Sequence, residues 1–276
     1  EPKPWIGGAF EISTEYEKPV KIDEAWMILG NPEHFPLYFT VGKMTLPFGL
    51  YESAMLTDSL TLELGETTAD MLLFGMDWEG LYLKGYGFES LFQQSDEQAA
   101  LKSFGADIGY LWEEDDFAIQ IGASWIRDMS DSDGLSDYIK EEEFVPANRV
   151  PGFATYASLN WGAITFAAEQ ITGDKQPRYL NDDLLEIHAK PKAWTTEIIM
   201  AGKLAGIELE SGLMYGESEG TLDILPRKRM GGALTVYPLE HLRLSIEYLR
   251  EDDHSILTGG TDAHANIFTF QLALEL

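Results

Sequence analysis

The sequence contains no cysteine, which excludes disulfide scaffolds, thiol catalysis and cysteine zinc sites. Basic residues are scarce: 19 lysines and arginines stand against 47 acids, for a net charge of −28. Such a chain lacks the cations needed to displace counterions from a phosphate backbone, so nucleic acid is excluded as a partner. Also missing is any apolar run of the roughly 18 to 20 residues that a membrane helix needs. The longest, such as 197–202 (EIIMAG), are short and interrupted. This excludes helical spans only, because a membrane barrel gives a much weaker signal per strand. No leader is visible before Glu1-Pro2, and the chain reads as a mature or trimmed product. Strong acidity often means disorder, but 45% apolar and 12% aromatic residues are too many for that.

What is present is a period of two. Over 117–125 one face carries Phe117, Ile119, Ile121, Ala123 and Trp125, and the other Ala118, Gln120, Gly122 and Ser124. Stretches 242–248 and 268–276 alternate in the same way. This pattern marks strands with one apolar and one polar face. It predicts about fourteen strands, near 5–17, 20–30, 36–46, 69–78, 81–90, 100–113, 116–128, 151–161, 163–172, 186–203, 206–217, 227–237, 241–251 and 265–276. In the second, both faces are mixed.

The connections alternate in length. Those at 31–35, 79–80, 114–115, 162, 205–206 and 238–240 are short; those at 47–68, 91–99, 129–150, 173–185, 218–226 and 252–264 are long. Only the first connection of the second set, at Lys18-Pro19, is short. Outer-membrane barrels have short turns on one side and long loops on the other, whereas a soluble sandwich has no reason to sort them. Tyr16, Trp112, Trp125, Trp161, Trp194, Tyr215 and Tyr248 fall near strand ends on the apolar face, as interfacial girdles require. The reading is one domain over 1–276, an all-β transmembrane antiparallel barrel.

The segment 41–70 (VGKMTLPFGLYESAMLTDSLTLELGETTAD) is the exception among the hairpins. It leaves a strand at Pro47-Phe48-Gly49 and runs on for about twenty residues with neither period, a length that is usually functional. Apolar Leu50, Tyr51, Met55, Leu56, Leu60, Leu62 and Leu64 sit among Glu52, Asp58, Glu63 and Glu66. That mixture suits a loop 47–68 folded into the lumen, since irregular backbone at membrane depth is tolerated where it lines a cavity.

The polar faces of the strands put Glu11, Glu15, Asp107, Glu169, Glu197, Glu208, Glu210, Glu247 and Glu275 in the lumen. Lys43, Arg227, Arg229 and Arg243 are the few opposing bases. Together with Glu52, Asp58, Glu63 and Glu66 they form the expected pore constriction, with a transverse field. Excess acid predicts a preference for cations. The stretch 128–143 resembles a calcium loop, with Asp131, Asp133 and Asp137 as candidate ligands. The EF-hand spacing fails, because Met129 and Lys140 fall at ligand positions. Calcium between acidic outer loops is the one cofactor considered. Catalysis finds little footing: His34, His188, His241, His254 and His264 form no helical metal pair, and no G-x-S-x-G is present. The chain is read as not an enzyme. A barrel hydrolase would need a serine and a histidine brought together at one end.

Two motifs carry a resemblance: Gly42-Lys-Met-Thr-Leu-Pro-Phe-Gly49, and the run Asp58-Ser-Leu-Thr-Leu-Glu-Leu-Gly-Glu-Thr67. Over these thirty or so residues the chain resembles the legiobactin-receptor-type (LbtU) siderophore porins, and more distantly the phosphate-selective porins. The resemblance implies a barrel in the outer membrane of a Gram-negative bacterium that admits iron chelates or similar small solutes. Members often carry a coiled-coil-like N-terminal segment, which this sequence does not show. It ends in Leu276 where barrels generally end in an aromatic residue.

The expected function is passive, cation-preferring passage of small polar solutes, with iron–siderophore complexes among the candidates. The alternative is a non-conducting barrel that binds or adheres through its acidic outer loops. Expected partners are outer-membrane lipid and lipopolysaccharide, a small polar solute or metal chelate, and a second copy if the barrel is a homo-oligomer.

Overall fold

A computed structural model describes residues 5–13, 20–31, 34–90, 103–181, 184–221 and 224–274. Glu15, Tyr16, the Lys18-Pro19 turn, the loop 91–99, Glu275 and Leu276 lie outside the described residues. The elements run β1 Ile6–Ser13, β2 Lys21–Gly30, β3 Leu37–Thr45, α1 Leu60–Gly65, β4 Thr68–Trp78, β5 Leu81–Phe88, β6 Ser103–Glu114 and β7 Phe117–Ile126. They continue α2 Asp133–Glu141, β8 Val145–Pro146, β9 Gly152–Trp161, β10 Ile164–Gly173, β11 Arg178–Asn181, β12 Leu184–Ile187 and β13 Lys192–Leu204. The last are β14 Ile207–Glu219, β15 Lys228–Leu239, β16 Leu242–Asp252 and β17 His264–Leu274.

Fourteen strands form one antiparallel sheet in chain order, β1-β2-β3-β4-β5-β6-β7-β9-β10-β13-β14-β15-β16-β17. Each of the fourteen predicted spans has its counterpart. β8, β11 and β12 form a separate three-stranded sheet in the long loops. Among the described residues no ladder joins β1 to β17.

Short turns set the hairpins. Glu79 and Gly80 both have positive φ (49° and 85°), as do Ala205 and Gly206 (53° and 85°). This is the two-residue turn whose twist matches antiparallel strands. β2 reads as mixed because of a bulge: Glu11 pairs with Glu24 while Ile12 pairs with Ile22, leaving Asp23 as the extra residue. One extra residue exchanges the two faces partway along a strand. The predicted strand 186–203 merges two elements, since β12 ends at Ile187 and belongs to the small sheet, while β13 starts at Lys192 after Pro191.

The outward face is apolar and bare. Phe268, Phe270, Leu272 and Leu274 of β17 are 66%, 74%, 65% and 66% exposed. Their cross-strand neighbours Tyr248, Ile246 and Leu244 are exposed as well. So are Phe74, Phe166, Ile198, Leu213 and Leu234. An apolar surface running round a whole wall needs an apolar medium beside it. Trp78, Trp112 and Trp161 stand exposed at the short-turn end, while Trp194 pairs with Tyr215 toward the long-loop end (ring centroids 5.5 Å apart). The inward face is polar, with Thr40, Asp107, Ser124, Ser158, Thr195, Glu197, Thr235, Ser245 and Glu247 all buried.

The apolar core lies inside the wall, at the long-loop end. Leu60 and Leu64 of α1, Leu135 and Ile139 of α2, and Phe48, Phe88, Ile126, Ile171 and Tyr179 pack as one cluster. α1 is set by Ser59, whose hydroxyl accepts the Leu62 N–H (3.2 Å) as N-cap. α2 docks beneath it: the Asp133 N–H donates to the Glu66 carbonyl (2.8 Å), and the Asp133 carboxylate accepts the Thr68 N–H (3.2 Å).

Candidate functional site

The segment between β3 and β4 is a strap laid across the inner face of the wall. Its neck is closed by the Leu46 N–H donating to the Thr67 carbonyl (2.8 Å). Pro47 ends the strand, and Gly49, at φ +104°, turns the chain inward. A Cβ there would stand 2.5 Å from Oε1 of Glu169, so the turn requires glycine.

From Gly49 onward the strap's donors go to the wall in strand order. The Gly49 N–H reaches Ser124 Oγ on β7 (3.2 Å), and the Leu50 N–H reaches Glu169 Oε1 on β10 (2.7 Å). On β13, Glu197 accepts the Ala54 N–H (2.8 Å) and the Ser53 hydroxyl (2.7 Å). On β16, Glu247 accepts the Leu56 N–H (2.7 Å), the Thr57 N–H (3.1 Å) and the Thr57 hydroxyl (2.6 Å). From β7 to β16 is six inter-strand steps, roughly 29 Å along the sheet. The seven residue steps from Gly49 to Leu56 reach at most about 25 Å. The strap is therefore a chord, and the wall curves round it.

Burying Glu197 and Glu247, at 3% and 1% exposure, is tolerable because each carboxylate accepts charge-assisted hydrogen bonds. The strap gains as well, since an irregular backbone here must find partners for its N–H groups. Its acceptors are treated differently. Among the described residues no donor bonds a carbonyl of residues 50–57, and Glu52 and Asp58 are exposed. The strap thus turns donors to the wall and leaves its carbonyls without a donor among the described residues.

The strap's far end is pinned by one buried cation. Arg229 on β15 donates through Nε to Glu251 Oε1 on β16 (2.6 Å) and through Nη1 to the Asp58 carbonyl (2.6 Å). The same Nη1 forms a close ion pair with Glu63 of α1. Burial raises the Glu63 carboxyl above its ordinary range, against the pull of Arg229. Glu66 is raised by its own burial and by the charge of Asp133.

The expected constriction residues are thus divided. Arg229, Glu63 and the Asp58 backbone meet; Lys43, Arg227 and Arg243 lie elsewhere. The Lys43 ammonium donates to the Ile22 carbonyl (2.6 Å). Arg227 precedes β15 and donates through Nε to the Asp253 carbonyl (3.4 Å). Arg243 shares a face of β16 with Glu251 but stands eight residues away, roughly 26 Å along the strand. The anchors Glu169, Glu197 and Glu247 read in the sequence as lumen lining, not as partners of the strap. Their signal is a lone glutamate within an otherwise uncharged stretch, as in 163–173 and 193–202 (AITFAAEQITG, AWTTEIIMAG).

The acidic outer loop has a comparable fate. Asp131 accepts the Ser90 hydroxyl (2.7 Å), Asp133 holds Thr68, and Asp137 pairs with Lys140 (3.1 Å). Among the described residues no three acids or histidines gather as a metal set. A serine and a histidine do meet: Ser218 Oγ and His254 Nε2 are 3.3 Å apart. However, the hydroxyl donates to the Pro226 carbonyl (2.8 Å), and Asp253 is engaged by the His254 and Thr261 N–H groups (2.7 and 2.8 Å). Among the described residues no carboxylate is hydrogen-bonded to the imidazole, so nothing orients it as a base.

The inward face is open on the side away from the apolar core. From Ile6 to Ile12 every residue of β1 is exposed, on the inward face as well as the outward one. There Glu11 and Glu24 face each other across the ladder on the inward side.

No family model matches the chain. It is 26% identical to a UPF0422 protein of Coxiella burnetii over 96% of its length, covering 60% of that protein. It is 24% identical to a UPF0422 protein of Legionella pneumophila, with 83% of the chain and 46% of the relative covered. The chain therefore spans about half to three fifths of these curated relatives. Among solved structures it is similar to OmpF of Salmonella typhi, in complex with daunomycin (TM-score 0.60, 15% identity, 97% and 85% of the two chains). It is also similar to an anion-selective porin of Comamonas acidovorans (0.56, 9%, 92% and 79%). A loop-deleted OmpT of Vibrio cholerae is another such structure (0.55, 12%, 98% and 84%). With a fourteen-stranded antiparallel wall, an apolar outer face and an inward strap, the chain has the fold of the outer-membrane porins.

Proposed function

We propose that the protein is a passive channel of the Gram-negative outer membrane that admits small polar solutes and prefers cations. The strap carries this reading. Its N–H groups are held by Glu169, Glu197 and Glu247, while its carbonyls, Glu52 and Asp58 are left to the passage. A lining of acceptors replaces part of a cation's water shell and offers an anion nothing. Glu11 and Glu24 extend the same sign along the open side of the wall. An iron chelate of neutral or positive charge suits that field, and a siderophore cargo rests on the resemblance over 42–67.

One observation favours a second reading, a non-conducting barrel that binds through its outer loops. α1, α2 and the β3–β13 side of the wall bury a continuous apolar core at the long-loop end. Planar-bilayer recording decides between them. Discrete steps, with a reversal potential displaced toward the cation value under a salt gradient, support the channel. Silence from correctly folded protein supports the scaffold, and displacement toward the anion value overturns the cation preference.

A further inference from the structure

On the outer surface of the wall, at the long-loop end, lies a cavity of about 550 Å³. Strand alternation puts Lys192 and Trp194 of β13 on the same outward face as Ile198 and Met200. Register brings Glu217 of β14 beside Trp194, and Lys228 of β15 beside Glu217. The loop after β16 contributes His254, Ser255, Thr258 and Asp262 to the lining, and Arg227 enters from the β14–β15 connection. A second cavity of about 360 Å³ shares Glu219, His254 and Thr258 with the first.

The charges here are unlike those of the chain. Acids outnumber Lys and Arg 47 to 19 overall, whereas this cavity holds Lys192, Arg227 and Lys228 against Glu217, Glu219 and Asp262. Lys228 and Glu217 satisfy each other at 2.9 Å. The Lys192 ammonium has no partner among the described residues, and Arg227 uses only its Nε, leaving its terminal amino groups available. Below the cavity on the same outward face is an apolar depression of about 580 Å³, lined by Leu159, Phe166, Thr196, Ile198, Leu213 and Tyr215. Thr196 and Tyr215 are the next outward residues down from Trp194 and Glu217, so the polar cavity continues into the apolar one.

We infer that this surface binds a phosphorylated sugar headgroup carried on an acyl lipid of the outer leaflet. Lys192 and Arg227 take the phosphate through charge-assisted hydrogen bonds. Glu219, Asp262 and the hydroxyls of Ser255 and Thr258 accept or donate to sugar hydroxyls, and the Trp194 indole meets the apolar face of the sugar ring. The acyl chains lie in the depression between Phe166 and Leu213. The inference rests on the outer-membrane placement proposed above, but not on conduction.

Native mass spectrometry of detergent-solubilised full-length protein, after addition of bis-phosphorylated lipid A, tests it. Wild type retains one lipid A, and the double variant K192E/R227E retains at least tenfold less, with its barrel fold checked by heat-modifiable gel mobility. T196W fills the depression and lowers lipid A retention without changing competition by free glucose 1-phosphate. No retention by wild type, or equal retention by K192E/R227E, overturns the proposal. So does displacement by glucose 1-phosphate at concentrations matching lipid A, which would assign the cavity to a soluble sugar phosphate. Bilayer recordings of the same preparations judge the channel separately: K192E/R227E retains wild-type conductance if the barrel conducts, and silence would count against the channel alone.

Discussion

Arg229 and Glu251 face each other across the β15–β16 ladder at 2.6 Å, and the guanidinium that closes this pair also holds Glu63 of the strap. Wall and strap thus share one cation. Removing it in Arg229→Ala leaves two partly buried carboxylates close together with no counter-charge. Loss of one member of a buried set costs about 3 kcal/mol. Urea unfolding of the purified barrel should show that loss, and the double variant R229A/E63Q should recover part of it.

Selectivity separates the strap's acids. Glu52 and Asp58 are exposed, whereas Glu63 is neutralised by Arg229. The reversal potential should shift toward anions in E52K/D58K and stay close to wild type in E63Q. Equal shifts in both would remove the strap's exposed carboxylates from the selectivity argument.

Glu247 is the strap's last anchor. In Glu247→Gln the charge is lost and one oxygen becomes an amide donor, so the bonds to Leu56 and Thr57 lose their charge assistance and the one from the Thr57 hydroxyl must reverse. A charge-assisted bond contributes about 1.5–3 kcal/mol, so amide exchange over 50–57 should accelerate at least about tenfold. Hydrogen exchange read by mass spectrometry reports this directly, with 207–219 as the unchanged reference.

Asp128 gives the loop end its pH dependence. Burial pushes its carboxyl up to about 6, although it accepts N–H groups from Val150 (3.1 Å) and Ser130 (3.2 Å). The native pKa therefore lies above the unfolded value near 3.8. At pH 7 both states are ionised and the native state bears the full penalty. As pH falls through 6 toward 4 the native state takes up a proton first, and stability rises by up to about 2–3 kcal/mol. Asp128→Asn keeps an acceptor oxygen and loses the charge. It should melt higher than wild type at pH 7, with the difference closing by pH 4.5.

Tyrosines on the inward face lie over glycines of the neighbouring strand, as Tyr82 does over Gly109 and Tyr156 over Gly122. A Cβ at Gly109 would collide with the Tyr82 ring and sit 2.6 Å from the Ile121 carbonyl. Gly109→Ala should cost about 1–3 kcal/mol through forced displacement. Gly85, with nothing within 4 Å of an added Cβ, is the control and should tolerate alanine.

The wall was legible because its signal is local. Alternation along 117–126 or 264–274 states which side faces what, and two-residue turns such as Glu79-Gly80 punctuate it. β2 blurred because Asp23 is an extra residue, and β12 was absorbed into β13 because a three-stranded outer sheet leaves no period longer than four residues. The strap's place inside was legible from apolar residues in an irregular segment. Its anchors were not. Glu247 meets Thr57 from 190 residues away, and no spacing rule records such a meeting. For the same reason the bases looked like one cluster: sharing a face says nothing about the roughly 26 Å that separates Arg243 from the level of Glu251.

The strap also dictates an order of assembly. It leaves the chain between the third and fourth strands, yet its bonds are to β7, then β10, then β13, then β16. The next acceptor along the wall lies two strands on, then one, then three, and the Leu56 and Thr57 amides find theirs on the last strand but one. A half-built wall therefore holds a half-docked strap. The strap finds its full set of acceptors only when β7, β10, β13 and β16 are all in place, which couples docking of this segment to completion of the wall.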